Sequence, residues 1–198
     1  MKLILTRHGE TEENKKGILQ GHKDGKLSEE GIQQAEKLAI RLKDEKIDHI
    51  YSSDLGRAFD TAKIIARYHK DVPLELSIDL RERSFGSFDG KSKKELGWTP
   101  NPEGLPREEP DDAEPREHLF KRAEIFLHKI IKDNKNETVL AVAHGGINLV
   151  LLSILLNEDL NKVYVQYSQK NTCVNIFEIE EDKKYKMHVI NCTKHLDE

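Results

Sequence analysis

Three short stretches and one acid hold the residues of this chain that could do chemistry: Arg7-His8-Gly9, Ser52-Ser53 with Arg57 about a helical turn on, His144-Gly145-Gly146, and Glu82. Two histidines and two arginines gathered in one place would suit a phosphate, the more so if helix N-termini with unpaired backbone N–H groups point the same way. Taken singly, each has an ordinary explanation. Arg57 alone is a solvated helix charge, His144 a hydrogen-bonded strand-end histidine and Glu82 a surface acid, so the argument rests on joint placement.

Hydrophobic periodicity supplies the elements that would place them. Leu3-Ile4-Leu5-Thr6 is a short apolar run that reads as a buried strand and stops at Arg7-His8-Gly9, where glycine permits a sharp turn or a close approach. The polar stretch 11–26 reads as a loop or a short helical turn. Ser28 offers an N-cap, and Ile32, Ala35, Leu38, Ala39 and Leu42 share one face of a helix running to about residue 45. A second strand over 47–52 leads into a helix striped by Leu55, Ala58, Phe59, Ala62 and Ile65, with Ser53 or Asp54 as its cap. Residues 74–76 suggest a third strand.

Residues 91–115 change character, holding five of the six prolines, blocks of charge and the single tryptophan, Trp98. They read as a lid or an insertion rather than a linker, because core-forming sequence follows. Leu119 to Ile131 carries a second amphipathic stripe, and Thr138-Val139-Leu140-Ala141-Val142-Ala143 has the apolar character of a central strand. A buried helix over about 147–156 and a hairpin over 173–190 close the chain. Strand and helix alternation predicts a parallel α/β arrangement in which the three strand ends share one edge, where ligands bind in open sheets. The expected fold is a three-layer α/β/α sandwich with a mixed, mainly parallel central sheet, forming one domain over 1–198.

Composition narrows the partners. The chain is 36% hydrophobic and 34% charged, with a formal net charge of -4, which leaves no electrostatic footprint for nucleic acid. The longest apolar segment is too short to cross a bilayer. Cys173 and Cys192 lie outside metal-type spacing, and with no secretory signal a cytoplasmic home is the simplest expectation. Seven histidines, His22, His49, His69, His118, His128, His188 and His195, are assigned structural or surface roles.

Five motifs in order then carry a resemblance to a known family. Thr6-Arg7-His8-Gly9-Glu10-Thr11 with Asn14, Gln20-Gly21, Ser52-Ser53-Asp54-Leu55-Gly56-Arg57-Ala58 with Thr61, Leu80-Arg81-Glu82 and Ala143-His144-Gly145-Gly146 resemble the phosphoglycerate mutase-like histidine phosphatase superfamily. The resemblance implies that His8 is a nucleophile forming a phosphohistidine, that Arg7, Arg57 and His144 surround the phosphoryl oxygens, and that Glu82 is the acid and base. It also implies that Asn14, Gln20, Gly21 and Gly145 lie around phosphate and substrate, and that neither metal nor cofactor is needed. Arg83 would suit an acidic substrate.

The short, acid-rich stretch with Glu108, Glu109, Asp111, Asp112 and Glu114 favours hydrolysis over the mutase branch, whose members usually carry a longer, more basic insertion. Asp112-Ala113-Glu114-Pro115 stands where many sugar-phosphate and ribazole-phosphate hydrolases have Gly-Gly-Glu-Ser, so their substrates do not transfer directly. A metal-independent hydrolase of a small phosphorylated metabolite, monomeric or homodimeric, is the resulting expectation. The alternatives are mutase-type phosphoryl transfer, a non-catalytic phospho-ligand module, and a two-histidine, one-carboxylate metal site built from His8, His144 and Glu82.

Overall fold

The computed structural model describes residues 1–97, 109–180 and 185–197. Its centre is β1 (Lys2–Arg7), which pairs in parallel with β4 (Thr138–Ala143) on one side and antiparallel with β5 (Val174–Ile179) on the other. Beyond β4 come β2 (His49–Ser53) and β3 (Leu74–Ser77), both parallel to it, and β6 (Tyr185–Cys192) pairs antiparallel with β5. The six strands run β3-β2-β4-β1-β5-β6, so the sheet is mixed and mainly parallel. The predicted turn at 180–184 lies largely outside the described residues.

Period-two alternation assigns the strand residues to two cores. Leu3 and Leu5 of β1, with Val139, Ala141 and Ala143 of β4, pack against α4 (Arg116–Asp133) and α5 (Gly145–Leu156). Ile4, Leu140 and Val142 point the other way, onto α2 (Glu29–Leu42) and α3 (Gly56–Ala66). Helices therefore cover both faces, giving the three layers. Ser28 caps α2 by accepting from Gly31 N–H, as its position predicts. Where β1 ends, the backbone of Gly9 passes so close to that of Gly31 that a side chain at either would collide with the other segment. Close approach, not a left-handed turn, is what Gly9 supplies.

Three local readings need correction. Neither Ser53 nor Asp54 caps α3, whose N-cap is Leu55 without a side-chain bond. Ser53 Oγ is engaged by Leu55 N–H and His144, while Asp54 takes both ends of the Arg81 guanidinium, at 2.8 and 2.5 Å. Helix α5 begins at Gly145 rather than near Ile147, because both glycines adopt helical geometry in its first turn. A short helix, α6 (Leu160–Gln166), follows an Asp159 cap in a stretch that shows no clear periodicity.

Of the stretch read as a lid, Trp98, Glu108 and the prolines at 100, 102 and 106 lie outside the described residues. Residues 91–93 run beside a short α1 (Glu12–Lys15) and the loop after it, through Leu19 N–H to Lys91 O and Lys93 N–H to Gly17 O. No helix among the described residues is long and apolar enough to cross a membrane.

Candidate active site

The C-terminal ends of β1, β2 and β4 meet as predicted, and each delivers its residues to one place. His8 N–H donates to Ala143 O at 3.0 Å, carrying the β1–β4 pairing one step past the strand. The His8 ring is buried, and its Nδ1 lies 2.6 Å from Gly9 O. A carbonyl can only accept, so Nδ1 bears the proton and Nε2 presents a lone pair. Burial first, then the positive fields of Arg57 and Arg7, holds the His8 pKa well below the ordinary histidine value. The imidazole is therefore neutral at neutral pH, as a nucleophile must be.

His144 caps α5, with its ring centroid 5.1 Å from that of His8 and its Nε2 2.8 Å from Ser53 Oγ. It too is kept neutral, chiefly by burial and then by Arg57, His8 and Arg7. Arg57 is 1% exposed and donates from Nη1 to Lys23 O at 2.8 Å and from Nη2 to Gly21 O at 2.9 Å. Burial brings its pKa down to about 10, so it stays charged near neutrality. Arg7 donates from Nη1 to Gln169 O at 2.7 Å. The buried Nε of both arginines and Nδ1 of His144 make no hydrogen bond to protein. Two buried guanidinium donors left over in this way fit an anion with several acceptor oxygens.

Glu82 is held differently from anything spacing suggested. Its Oε1 accepts from Arg83 N–H at 2.9 Å and Ile147 N–H at 3.2 Å, and its Oε2 from Gly146 N–H at 3.0 Å. The N-terminus of α5 thus grips a carboxylate of the protein itself, and Gly56 N–H at the start of α3 likewise donates to Asp24. The two helix starts predicted to face a phosphate are occupied by acids instead. Arg122 of α4 fixes the backbone beneath Glu82, donating to the carbonyls of Asp79, Arg81 and Glu82. Sequence reasoning missed it because an arginine on a helix face has no distinguishing pattern. His22, read as structural, sits beside this segment with Nε2 donating to Glu82 O at 2.8 Å.

A cavity of about 330 Å³ opens over this cluster, lined by Arg7, His8, Asn14, Gln20, Gly21, Glu82, Arg83 and Gly145 among the predicted residues. Arg57 and His144 lie behind that surface rather than on it. Asn14 is fixed by a capping box with Thr11. Asn171 donates to His8 O at 2.9 Å and so braces the strand end. The remaining wall is largely apolar, with Leu119, Leu149, Val150, Leu160 and Tyr164. Lys93 also lines it, with its ammonium pKa pushed down by burial and by Arg7. Among the described residues no group of three or more His, Cys, Asp or Glu side chains could hold a metal ion, so His8, His144 and Glu82 do not form the two-histidine, one-carboxylate arrangement.

Fold and site together define an α/β protein with a neutral histidine and two arginines gathered beside the strand ends of a mixed sheet. Residues 3–193 match the family model of the histidine phosphatase superfamily, branch 1, and the chain belongs to that superfamily. It is similar to the metal-independent phosphoserine phosphatase of Arabidopsis thaliana, 36% identical over 183 residues, covering 83% of this chain and 76% of that protein. Bacillus stearothermophilus YhfR matches with a TM-score of 0.89 at 28% identity, covering 98% of each chain. A phosphoserine phosphatase from Entamoeba histolytica, solved with 3-phosphoglyceric acid, matches with a TM-score of 0.83 at 32% identity, again covering 98% of each. Within the superfamily this chain is a phosphatase.

Proposed function

We propose that the protein is a metal-independent phosphomonoester hydrolase acting on a small phosphorylated metabolite through a phosphohistidine at His8. His8 Nε2 attacks phosphorus as the ester P–O bond breaks, and Glu82 gives its proton to the departing oxygen. Water then attacks the phosphohistidine, Glu82 takes a proton from it, the P–N bond breaks, and His8 and inorganic phosphate are released. Arg7, with Arg57 and His144 behind it, stabilises the charge on the transferring group. Asn14, Gln20, Gly21 and Gly145 border substrate and phosphate in this scheme.

The observation that carries the reading is the Nδ1–H to Gly9 O bond, which fixes the tautomer that leaves Nε2 free in the same cavity as Glu82. In this scheme residues 1–198 form one domain, and Lys93 contributes to the cavity wall. The reading assigns the enzyme to the cytoplasm, without nucleic-acid or membrane partners, as a monomer or homodimer. Its free cysteines suit a reducing compartment.

The test is the initial rate of p-nitrophenyl phosphate hydrolysis in excess EDTA for the wild type and His8→Ala. Activity that survives the chelator and vanishes in His8→Ala supports the scheme. Activity abolished by EDTA requires a metal and rejects it, and no activity in either protein points to phosphoryl transfer between phosphorylated acids or to ligand binding.

A further inference from the structure

We propose that Glu109 sets the charge specificity of the cavity, withholding Arg83 from substrates and favouring phosphomonoesters whose body carries no second acidic group. The inference rests on the phosphatase reading above. Arg83 lines the cavity and its side chain is only 7% exposed, so it is a buried cation in the cavity wall. Left open, such a guanidinium would be a ready seat for a carboxylate. It is not open. Nη1 and Nη2 donate to the two oxygens of Glu109, each at 2.6 Å, and Nε donates to Glu114 O at 2.9 Å.

Arg116, another cavity residue, also leans on Glu109, with Nη2 3.9 Å from its Oε1. The Arg83 bonds hold the Glu109 pKa below the ordinary carboxylate range, so the acid is ionised wherever the enzyme would work. A second acidic group on a substrate must therefore displace a carboxylate tethered within the same molecule, which competes at a high effective concentration. Lys93, whose ammonium pKa is pushed down by burial and then by Arg7, is a weaker seat for a carboxylate than an open guanidinium would be. Beyond these groups the cavity presents the substrate body with the apolar wall of Leu149, Val150, Leu160 and Tyr164. Phosphoserine carries a carboxylate, so carrying over the substrate of the named relatives runs against this arrangement.

The experiment compares kcat/KM for glycerol 3-phosphate and 3-phosphoglycerate, primary alkyl esters that differ chiefly in the carboxylate, with p-nitrophenyl phosphate as the measure of basal activity. In the wild type the ratio of 3-phosphoglycerate to glycerol 3-phosphate lies below one. In Glu109→Gln it rises roughly tenfold, the scale of one charged hydrogen-bond pair, mainly through KM for 3-phosphoglycerate. Activity on p-nitrophenyl phosphate stays within about twofold, well under the 1.4 kcal/mol that a factor of ten represents. Adding Arg83→Met to Glu109→Gln removes the gain, which a merely structural role for the pair would not produce. Glu109→Ala gives a second route if the glutamine variant is unstable. A wild-type ratio well above one, or a ratio unchanged in both Glu109 variants, overturns the inference while leaving the phosphatase reading intact. A wild type that hydrolyses none of the three esters overturns both.

Discussion

Replacing Gly146 with alanine should disable the acid and base while leaving the fold standing. Gly146 has ordinary helical geometry in the first turn of α5, so alanine fits its backbone and favours the helix by up to about 1 kcal/mol. The methyl group, however, would overlap Glu82 Oε1 by about 1 Å relative to ordinary van der Waals contact. The carboxylate is the far end of a flexible side chain, so it can retreat, but it then gives up its bonds to Gly146 N–H at 3.0 Å and Ile147 N–H at 3.2 Å. A misplacement of about 1 Å at a reacting group costs on the order of 100-fold, near the lower end of what general acid catalysis supplies. The loss should depend on the leaving group. For glycerol 3-phosphate, whose alkoxide needs a proton, kcat/KM should fall by about 100-fold. For p-nitrophenyl phosphate, whose phenolate departs unaided, kcat/KM should fall far less, while kcat drops because water attack on the phosphohistidine still needs a base. Steady-state kinetics on the two esters, with a thermal melt as control, make the comparison. Equal losses on both esters with a lowered Tm, or no loss on either, would refute the assignment of Glu82.

Three further outcomes follow from the same geometry. Ser53→Ala removes the 2.8 Å bond that orients His144, and should lower kcat by about tenfold, the equivalent of one buried hydrogen bond, with little change in KM. The melting temperature should fall as pH drops from about 7 to about 5. His8 and His144 are held well below their ordinary pKa and His195 at about 4, so the unfolded chain takes up protons in that window and the folded one does not. Carboxylates with lowered pKa, such as Asp54 and Glu109, lose their contribution only at lower pH, so a flat or rising melting curve between 7 and 5 would contradict the buried neutral histidines. Phe126→Ala, which empties a buried site where the ring meets Tyr51 edge-on at 5.6 Å, should cost about 3–5 kcal/mol in urea denaturation.

Strand and helix positions were largely legible because burial imposes periodicity. The two faces of β1 and β4 read directly from the alternation of Leu3, Ile4 and Leu5 and of Val139 to Ala143. The placing of β5 beside β1 is a long-range pairing that no local pattern encodes. The gathering of Arg7, His8, Arg57 and His144 followed from strand ends sharing an edge and the place of Glu82 from the family resemblance, but what each touches did not. Arg57 ties down the carbonyls of Gly21 and Lys23, and the start of α5 holds Glu82, because a buried polar group takes whichever partner the packing offers. The misread cap of α3 has the same origin: Ser53 and Asp54 are good caps in isolation, yet His144 and Arg81 claim them first. Arg122 and Lys93 were invisible as site residues, and the pairing of Glu109 with Arg83 was invisible too, for a related reason. Charged side chains in charge-rich sequence differ only in where the fold aims them.

Catalysis in this scheme turns on a covalent intermediate on His8. Rapid mixing of the enzyme with a ³²P-labelled phosphomonoester, quenched in alkali and mapped by peptide mass spectrometry, tests it directly. An acid-labile, alkali-stable phosphoryl group should appear on His8, form and decay at rates consistent with turnover, and be lacking in His8→Ala. Label on another residue, or full turnover with no labelled protein at any time point, would contradict it.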